Sequence, residues 1–498
     1  MKYISISEAA KKLNLSERSV RNYCQHGRIP GAVLEGKTWL IPENFTKPER
    51  TNGKENDNND EFIATGYELI RFLDSSPVNF FAIDNVRKEL INSGFEEIFE
   101  NKSCEIKRGG KYFVVRNGTS IIGLDIGELV DGDNCSFHVI ASHSDSPCFK
   151  IKPECDSKSG SYNRINVEPY GGLIMSTWLD RPLSIAGRVI VKNDDSLESK
   201  LLNMNNIVTM IPNVCIHFNR EINQGYKYDP SVDLQAFISQ DSEGQPLKEL
   251  IAKELKVKLE DIVNFDLYLY NKEQGYLWGN KKEFVSSSRL DDLECVFSSM
   301  KAFKDSHNKK AINVLYVADN EEVGSSSRQG ADSDFLQNVL QSIASKLGIN
   351  YYTSIANSFL ISADNAHAVH PNKPGLSDPN NKPLMNHGVA IKYNASQSYT
   401  SDAVSGAIFQ KLCENANAPY QYFANRSDIR GGSTLGNILL NHVSLLSVDM
   451  GLPQLAMHSS FETAGTYDIK HAVDVFKEFY SSVIEINGNR YTIRKEEE

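Results

Sequence analysis

Several acidic and imidazole side chains in this chain of 498 residues sit directly after short apolar runs. FHVIAS leads into His143 and Asp145, INVLYVA into Asp319, Glu321 and Glu322, SFLISA into Asp364, and LPQLAM into His458. A further cluster, SSSRLDDLE, puts Asp291 near the start of a helix. Together these residue types suit one chemistry. A divalent zinc ion takes imidazole nitrogen and carboxylate oxygen, and a catalytic site keeps one position open. A pair of such ions needs about five or six protein ligands, one of them bridging, and polarises a carbonyl while lowering the pKa of water. A further carboxylate must stay off the ions to move the proton. The adjacent pair Glu321 and Glu322 fits that division.

These residues require elements that bring distant segments together. Short, wholly apolar runs read as buried parallel strands. In an open α/β sheet the ligand crevice lies beyond the carboxyl ends of the strands. Four separate segments can therefore deliver polar groups to one crevice. Taken singly, each residue has a plainer reading: an acid at a strand end is most often a helix cap or solvated, and a lone histidine a satisfied polar residue. The ordered set carries the inference.

Composition bounds the rest. Hydrophobic residues make up 40% and charged residues 23%, the profile of an ordinary globular chain. Its length predicts two to four domains. No apolar run reaches the roughly 18 residues of a membrane helix, and MKYISISEAAKK has no signal-peptide pattern. The eight cysteines are scattered, with no CxxC pair, as in free thiols of a reducing compartment. A cytoplasmic protein with no membrane partner is expected.

Net charge is −11, but residues 1–50 carry nine Lys/Arg against five Asp/Glu. A basic head thus precedes an acidic body, and only the head suits nucleic acid. TNGKENDNNDE (51–61) reads as a flexible linker. In the head, Ser7 is the expected cap of a first helix ending at Leu13, and Ser16 caps a second helix running to about His26. That second helix presents Arg18, Arg21 and Gln25 on its polar side. GAVLEGKTWLIP then predicts a hairpin wing turning at Glu35-Gly36, with Lys37 beside the turn. The head resembles excisionase-like and MerR-like winged helix-turn-helix modules. That resemblance implies DNA contact through Arg18, Arg21, Gln25 and Lys37. The alternative is a module that docks on a protein.

The body resembles the aspartyl aminopeptidase family of dinuclear zinc exopeptidases, with a spelling closest to bacterial members. The stretches ASHSDSPCFKIKP, YGGLIMSTWLDRPLSIAGRVI, SSRLDDL, ADNEEVGSSS, ISADNAHAVHPN, NRSDIRGGSTLGNI and MHSSFETAG carry the resemblance in family order. It implies an α/β fold: a zinc-exopeptidase-like α/β/α sandwich over 62–150 and 287–485. It also implies a β-rich dimerisation domain inserted at 151–286 and leaves 486–498 as a charged tail. His143 and Asp364 would hold one zinc, Glu322 and His458 a second, and Asp291 would bridge them. Asp145 would orient His143. Glu321 would be the general base, and His217 would reach a neighbouring subunit's site to steady the oxyanion. The expected cofactor is two Zn2+ per subunit, with Co2+ or Mn2+ able to substitute. The expected partners are peptides and further copies of the chain, in a dodecamer built from dimers.

One departure concerns the substrate. Where the family reads like NANQRYTTD, this chain has YNASQSYTSD, so Ser398 stands where arginine is common. Lys392 remains to hold a substrate carboxylate, or is a solvated lysine at a loop edge. His370 lines the pocket or shapes its loop. The resemblance predicts an aminopeptidase, with Asp or Glu preferred as the first residue. The alternatives are a DNA-binding regulator whose peptidase-like body is a sensor, and an enzyme whose head serves assembly.

Overall fold

The computed structural model describes residues 3–13, 20, 33–35, 38–42, 54–132, 135–241 and 243–495. The chain divides into two compact units, Met1–Glu61 and Phe62–Glu498.

In the first unit the helix Ile6–Leu13 begins two residues earlier than its sequence suggests. Ser5, not Ser7, caps it: the Ser5 hydroxyl accepts from the Glu8 amide at 3.3 Å, and the Glu8 carboxylate accepts from the Ser5 amide at 2.8 Å. Strands Val33–Glu35 and Thr38–Pro42 form the expected hairpin, with Glu35 opposite Thr38. Tyr3–Ile4 pairs with the far edge of the second strand. Ala9, Ala10, Val20 and Ile41 form a small core. Arg18, Arg21, Gln25 and Lys37 lie outside the described residues.

The helix Lys54–Ser75 includes most of the segment whose composition reads as a linker. Its C-terminal half is fixed by the buried Leu69 and Leu73. Once that half has formed, extending the helix backwards costs little even through polar residues.

The second unit is built on a nine-stranded sheet. Its central strands, Leu446–Gly451, Phe359–Ala363, Phe137–His143 and Ile312–Ala318, lie side by side and parallel. Every residue of Phe137–His143, Ile312–Ala318 and Phe359–Ala363 is buried, because helices cover both faces. One face packs on helices Asn79–Asn92, Leu290–Lys304, Ala403–Asn415 and Thr466–Ser481. The other packs on Phe335–Leu347 and Leu435–Leu439. The result is the expected α/β/α sandwich.

A separate antiparallel sheet of six strands, with its own core, occupies Cys148–Asn271. Helix Pro246–Leu255 covers it through Leu247 and Ile251. Strands Tyr276–Trp278 and Phe284–Ser287, expected within the insertion, pair instead into a five-stranded sheet. Glu462–Gly465, Pro453–Leu455 and Ala366–His367 complete it. The expected charged tail is largely a hairpin, Ser482–Asn487 against Arg490–Lys495. Gly488, at φ +60°, makes its turn, and Arg494 meets Glu485 at 2.6 Å.

Neighbouring strands register tightly at the sheet end that faces the site. A Cβ on Gly451 would stand 2.1 Å from the Asp364 carbonyl oxygen and 2.8 Å from the Ala366 nitrogen. Gly451→Ala should therefore push these strands apart and cost about 1–3 kcal/mol. The check is the thermal midpoint, which should fall. An unchanged midpoint would show that the strands can part there freely.

Candidate metal centre and active site

Three of the parallel strands deliver reactive groups to one crevice. His143 ends the strand Phe137–His143, Asp364 follows Phe359–Ala363, and Glu321 and Glu322 lie in a short turn after Ile312–Ala318. Asp291 lies in the first turn of the helix Leu290–Lys304. His458 enters differently from its expected place at the end of another strand of the same sheet. It sits in a loop of the five-stranded sheet at φ +68°. Donor atoms of His143, Asp291 and Asp364 lie within 4.8 Å of one another, and so do those of Asp291, Glu322 and His458. Asp291 is common to both groups. A third group joins His143, Glu321 and Glu322.

The two oxygens of Asp291 face opposite ways. Oδ1 lies 3.5 Å from His143 Nε2, and Oδ2 lies 3.5 Å from His458 Nε2. Glu322 Oε2 lies 3.3 Å from His458 Nε2. Donors bound about 2.0–2.1 Å from one tetrahedral ion stand about 3.3 Å apart, so these spacings suit shared coordination. Both imidazoles are tied at the other nitrogen. His143 Nδ1 donates to the Asp145 carbonyl at 3.1 Å, and His458 Nδ1 donates to the Gly172 carbonyl at 3.0 Å. Each therefore turns its Nε2 toward the pocket, the nitrogen a metal-binding histidine would offer. Asp291 Oδ1 and Glu322 Oε1 are buried with no hydrogen-bond partner, so a cation has oxygens to take.

Two carboxylates hold this set in place. Asp145, expected to orient His143, has its carboxylate 3.4 Å from the His143 Nδ1 and holds backbone as well. Its two oxygens accept from the amides of Glu321 at 3.1 Å and Glu322 at 3.2 Å, and from the Tyr170 hydroxyl at 2.7 Å. Glu462, which sequence reasoning missed, accepts from the amides of Asp291 at 3.1 Å and His458 at 2.8 Å. Only its place in MHSSFETAG, four residues after His458, pointed to it.

Electrostatics describe a pocket short of positive charge. Burial pushes Glu321 up to about 8, with the Asp364, Asp145 and Asp291 charges adding to the effect. Burial likewise lifts Asp364 to about 6, although Lys392 opposes it. For His458, burial works downward but is outweighed by Asp291 and Glu322, which bring it to about 10. Carboxylates this crowded and buried favour a divalent cation, which stabilises their ionised form.

The remaining expected residues lie in different settings. Lys392 is no loop-edge lysine: it is buried on the strand Val389–Tyr393, its ammonium 3.9 Å from Asp364 Oδ1. Ser398 is half-buried nearby in sequence. His370 is exposed and accepts from the Asn372 amide at 3.2 Å, which makes it a loop-shaping residue. His367, missed from sequence, is exposed to solvent, yet the surrounding protein and the Lys392 charge hold its pKa below the usual value, and it senses Asp291 and His458. His217 lies in an exposed turn.

The sequence pattern of the aminopeptidase I zinc metalloprotease (M18) family matches residues 72–480. A probable M18 family aminopeptidase 2 of Clostridium novyi (strain NT) is 45% identical over 429 residues, 84% of this chain and 99% of its own length. The chain belongs to the M18 family. It is accordingly a zinc aminopeptidase. A chain of the Ape4 and Nbr1 complex superposes with a TM-score of 0.82 at 32% identity, covering 85% of this chain and 86% of that one. The S. cerevisiae mApe1 dodecamer gives 0.74 at 26% identity, covering 85% and 97%. A helix-turn-helix domain pattern matches residues 3–44, ahead of the M18 region.

Zinc taken up by these buried carboxylates would add to the stability of the folded chain. Dialysis against a chelator should lower the thermal midpoint, and added zinc should restore it. Each tenfold excess of free zinc over its Kd contributes about 1.4 kcal/mol. Identical melting curves with and without chelator would count against these side chains as a cation site.

Proposed function

We propose that the chain removes single residues from peptide N-termini at a two-zinc centre, with Glu321 as general base. His143 and Asp364 would hold one ion, Glu322 and His458 the other, and Asp291 both. The observation that carries this reading is Asp291, whose two oxygens face two different imidazoles. When bound, the zinc pair supplies an electrophile for the scissile carbonyl and lowers the pKa of water. Glu321 takes the proton of the attacking water and passes it to the leaving amine. Its carboxyl lies beside the donors of His143 and Glu322, close enough for that transfer. Lys392, a buried cation beside Asp364, favours a substrate whose first side chain is a carboxylate.

Assembly belongs to the same reading. His217 is flanked by exposed apolar residues, with Val214 52%, Ile216 49% and Phe218 87% exposed. Such a patch suits a contact with another copy, and the yeast relative is itself a dodecamer. His217 would then steady the oxyanion in the neighbouring site.

Peptides beginning with Asp, Glu, Leu and Lys, assayed on zinc-loaded protein, test the proposal. Asp and Glu should be released fastest. Glu321→Gln should keep its zinc yet lose about 10²–10⁴-fold in kcat. His458→Ala should lower zinc per chain, and His217→Ala should lose kcat while remaining assembled. Near-normal turnover by Glu321→Gln would remove the base assignment, and a flat ranking of peptides would remove the acidic preference.

A second reading concerns the head, favoured by its helix-turn-helix match and its basic charge. We infer that residues 1–50 bind DNA. Binding to duplex DNA should weaken steeply with salt and vanish when residues 1–50 are deleted. Equal binding by the truncated chain would assign the head to another partner.

A further inference from the structure

The turn that carries Glu321 and Glu322 is held by a residue from outside the sandwich. Tyr170 ends the strand Tyr162–Tyr170 of the six-stranded inserted sheet. Its hydroxyl donates to Asp145 Oδ2 at 2.7 Å and accepts from Asn320 Nδ2 at 2.8 Å. Asn320 immediately precedes Glu321 and has a left-handed backbone, φ +61°. Its side-chain oxygen accepts in turn from the Ser327 hydroxyl at 2.7 Å and Gln329 Nε2 at 3.0 Å. The amides of Glu321 and Glu322 then point back at Asp145. The loop of hydrogen bonds thus runs from Tyr170 to Asp145, through the two amides, to Asn320 and back to the same hydroxyl.

We propose that Tyr170, with Asn320, is a positioning residue of the peptidase reaction. Its hydroxyl fixes Asp145 and the Asn320 turn so that Glu321 faces the water and Glu322 faces the ions. The inference rests on the roles of Glu321 and Glu322 proposed above. Two features suit the task. Burial, reinforced by the Asp145 and Asp319 charges, keeps the phenol protonated and therefore a donor. A hydroxyl can also donate and accept at once, so one atom serves both sides of the turn. Phenylalanine would fill the same space and make neither bond. Asp145 Oδ2 would lose its closest donor, and the Asn320 amide its acceptor.

The test uses full-length Tyr170→Phe, Asn320→Gly and the double variant. Glycine keeps the left-handed backbone while removing the amide. Each single variant should lose about 10–100-fold in kcat per zinc-loaded chain, with KM little changed. Zinc affinity, read by competition with a chromophoric chelator, should weaken over a similar range. The double variant should be no worse than the poorer single one, because both changes break one network. Tyr170→Phe with parental kcat and zinc affinity would overturn the proposal. So would fully additive losses, or losses that vanish once kcat is referred to folded, zinc-loaded chains. Glu321→Gln run alongside separates the two layers. If it keeps turnover, the base assignment fails whatever Tyr170 does; if it is inactive with zinc bound, a normal Tyr170→Phe sinks the positioning role alone.

Discussion

The structure depends on one electrostatic problem: too many carboxylates share one buried space. Asp291, Asp364 and Glu322 converge with Glu321 beside them, and Asp292, Glu294 and Glu462 lie within reach of their charge. Buried like charges without compensation cost several kcal/mol each, or else hold on to protons. Lys392 supplies one fixed positive charge, and the two imidazoles can supply more only by protonating. Zinc held as proposed would resolve the conflict, since it takes neutral imidazoles and ionised carboxylates together. Such a site must be held rigidly, because a donor that swings away leaves a bare charge behind. That explains why its donors, His458 apart, follow the ends of fully buried strands or lie in the first turn of a helix.

Rigidity at the next level out comes from two carboxylates that touch backbone. Asp145 gathers the amides of Glu321 and Glu322, and Glu462 gathers those of Asp291 and His458. Each ties together segments far apart in sequence, and each accepts from two backbone amides. A charge-assisted bond to a backbone amide is stronger than one between neutral groups, and it fixes main-chain position, not just a rotamer. The acidic residues near the ligands in HSD and MHSSFE therefore serve the ligands' backbone.

The sandwich and most of the donor set were legible because buried parallel strands announce themselves as unbroken apolar runs. His143, Asp364 and the Glu321-Glu322 pair follow such runs directly. What was hidden depends on tertiary packing. The polar segment ahead of Phe62 reads as a linker, since composition cannot register a helix propagating back from a packed half. The strand at Phe284–Ser287 looks like part of the insertion until its partner Glu462–Gly465, some 180 residues later, is seen. Lys392 could equally have been solvated; only the strand face on which it falls buries it. Glu462 and Tyr170 act through backbone amides and one hydroxyl, contacts that leave no periodicity in a sequence.

The inserted sheet has a core of its own, yet its first strands do more than fill that core. Immediately after Tyr170, the chain crosses to the other half of the metal centre. The Gly172 carbonyl accepts from His458 Nδ1, and the Ile174 amide donates to the His458 carbonyl at 2.9 Å. The Thr177 hydroxyl then accepts from the Ser460 amide at 2.9 Å. Residues 170–177 thus brace the Asp145 clip on one side and the His458 loop on the other. The loop needs that support most: His458 has a left-handed backbone, and its side chain is 30% exposed, against 1% for His143. Strand-borne ligands inherit their stiffness from the sheet, whereas His458 must borrow it. The insertion after the HSD strand lends it through three hydrogen bonds within six residues, so the inserted domain is part of the architecture that makes the metal centre.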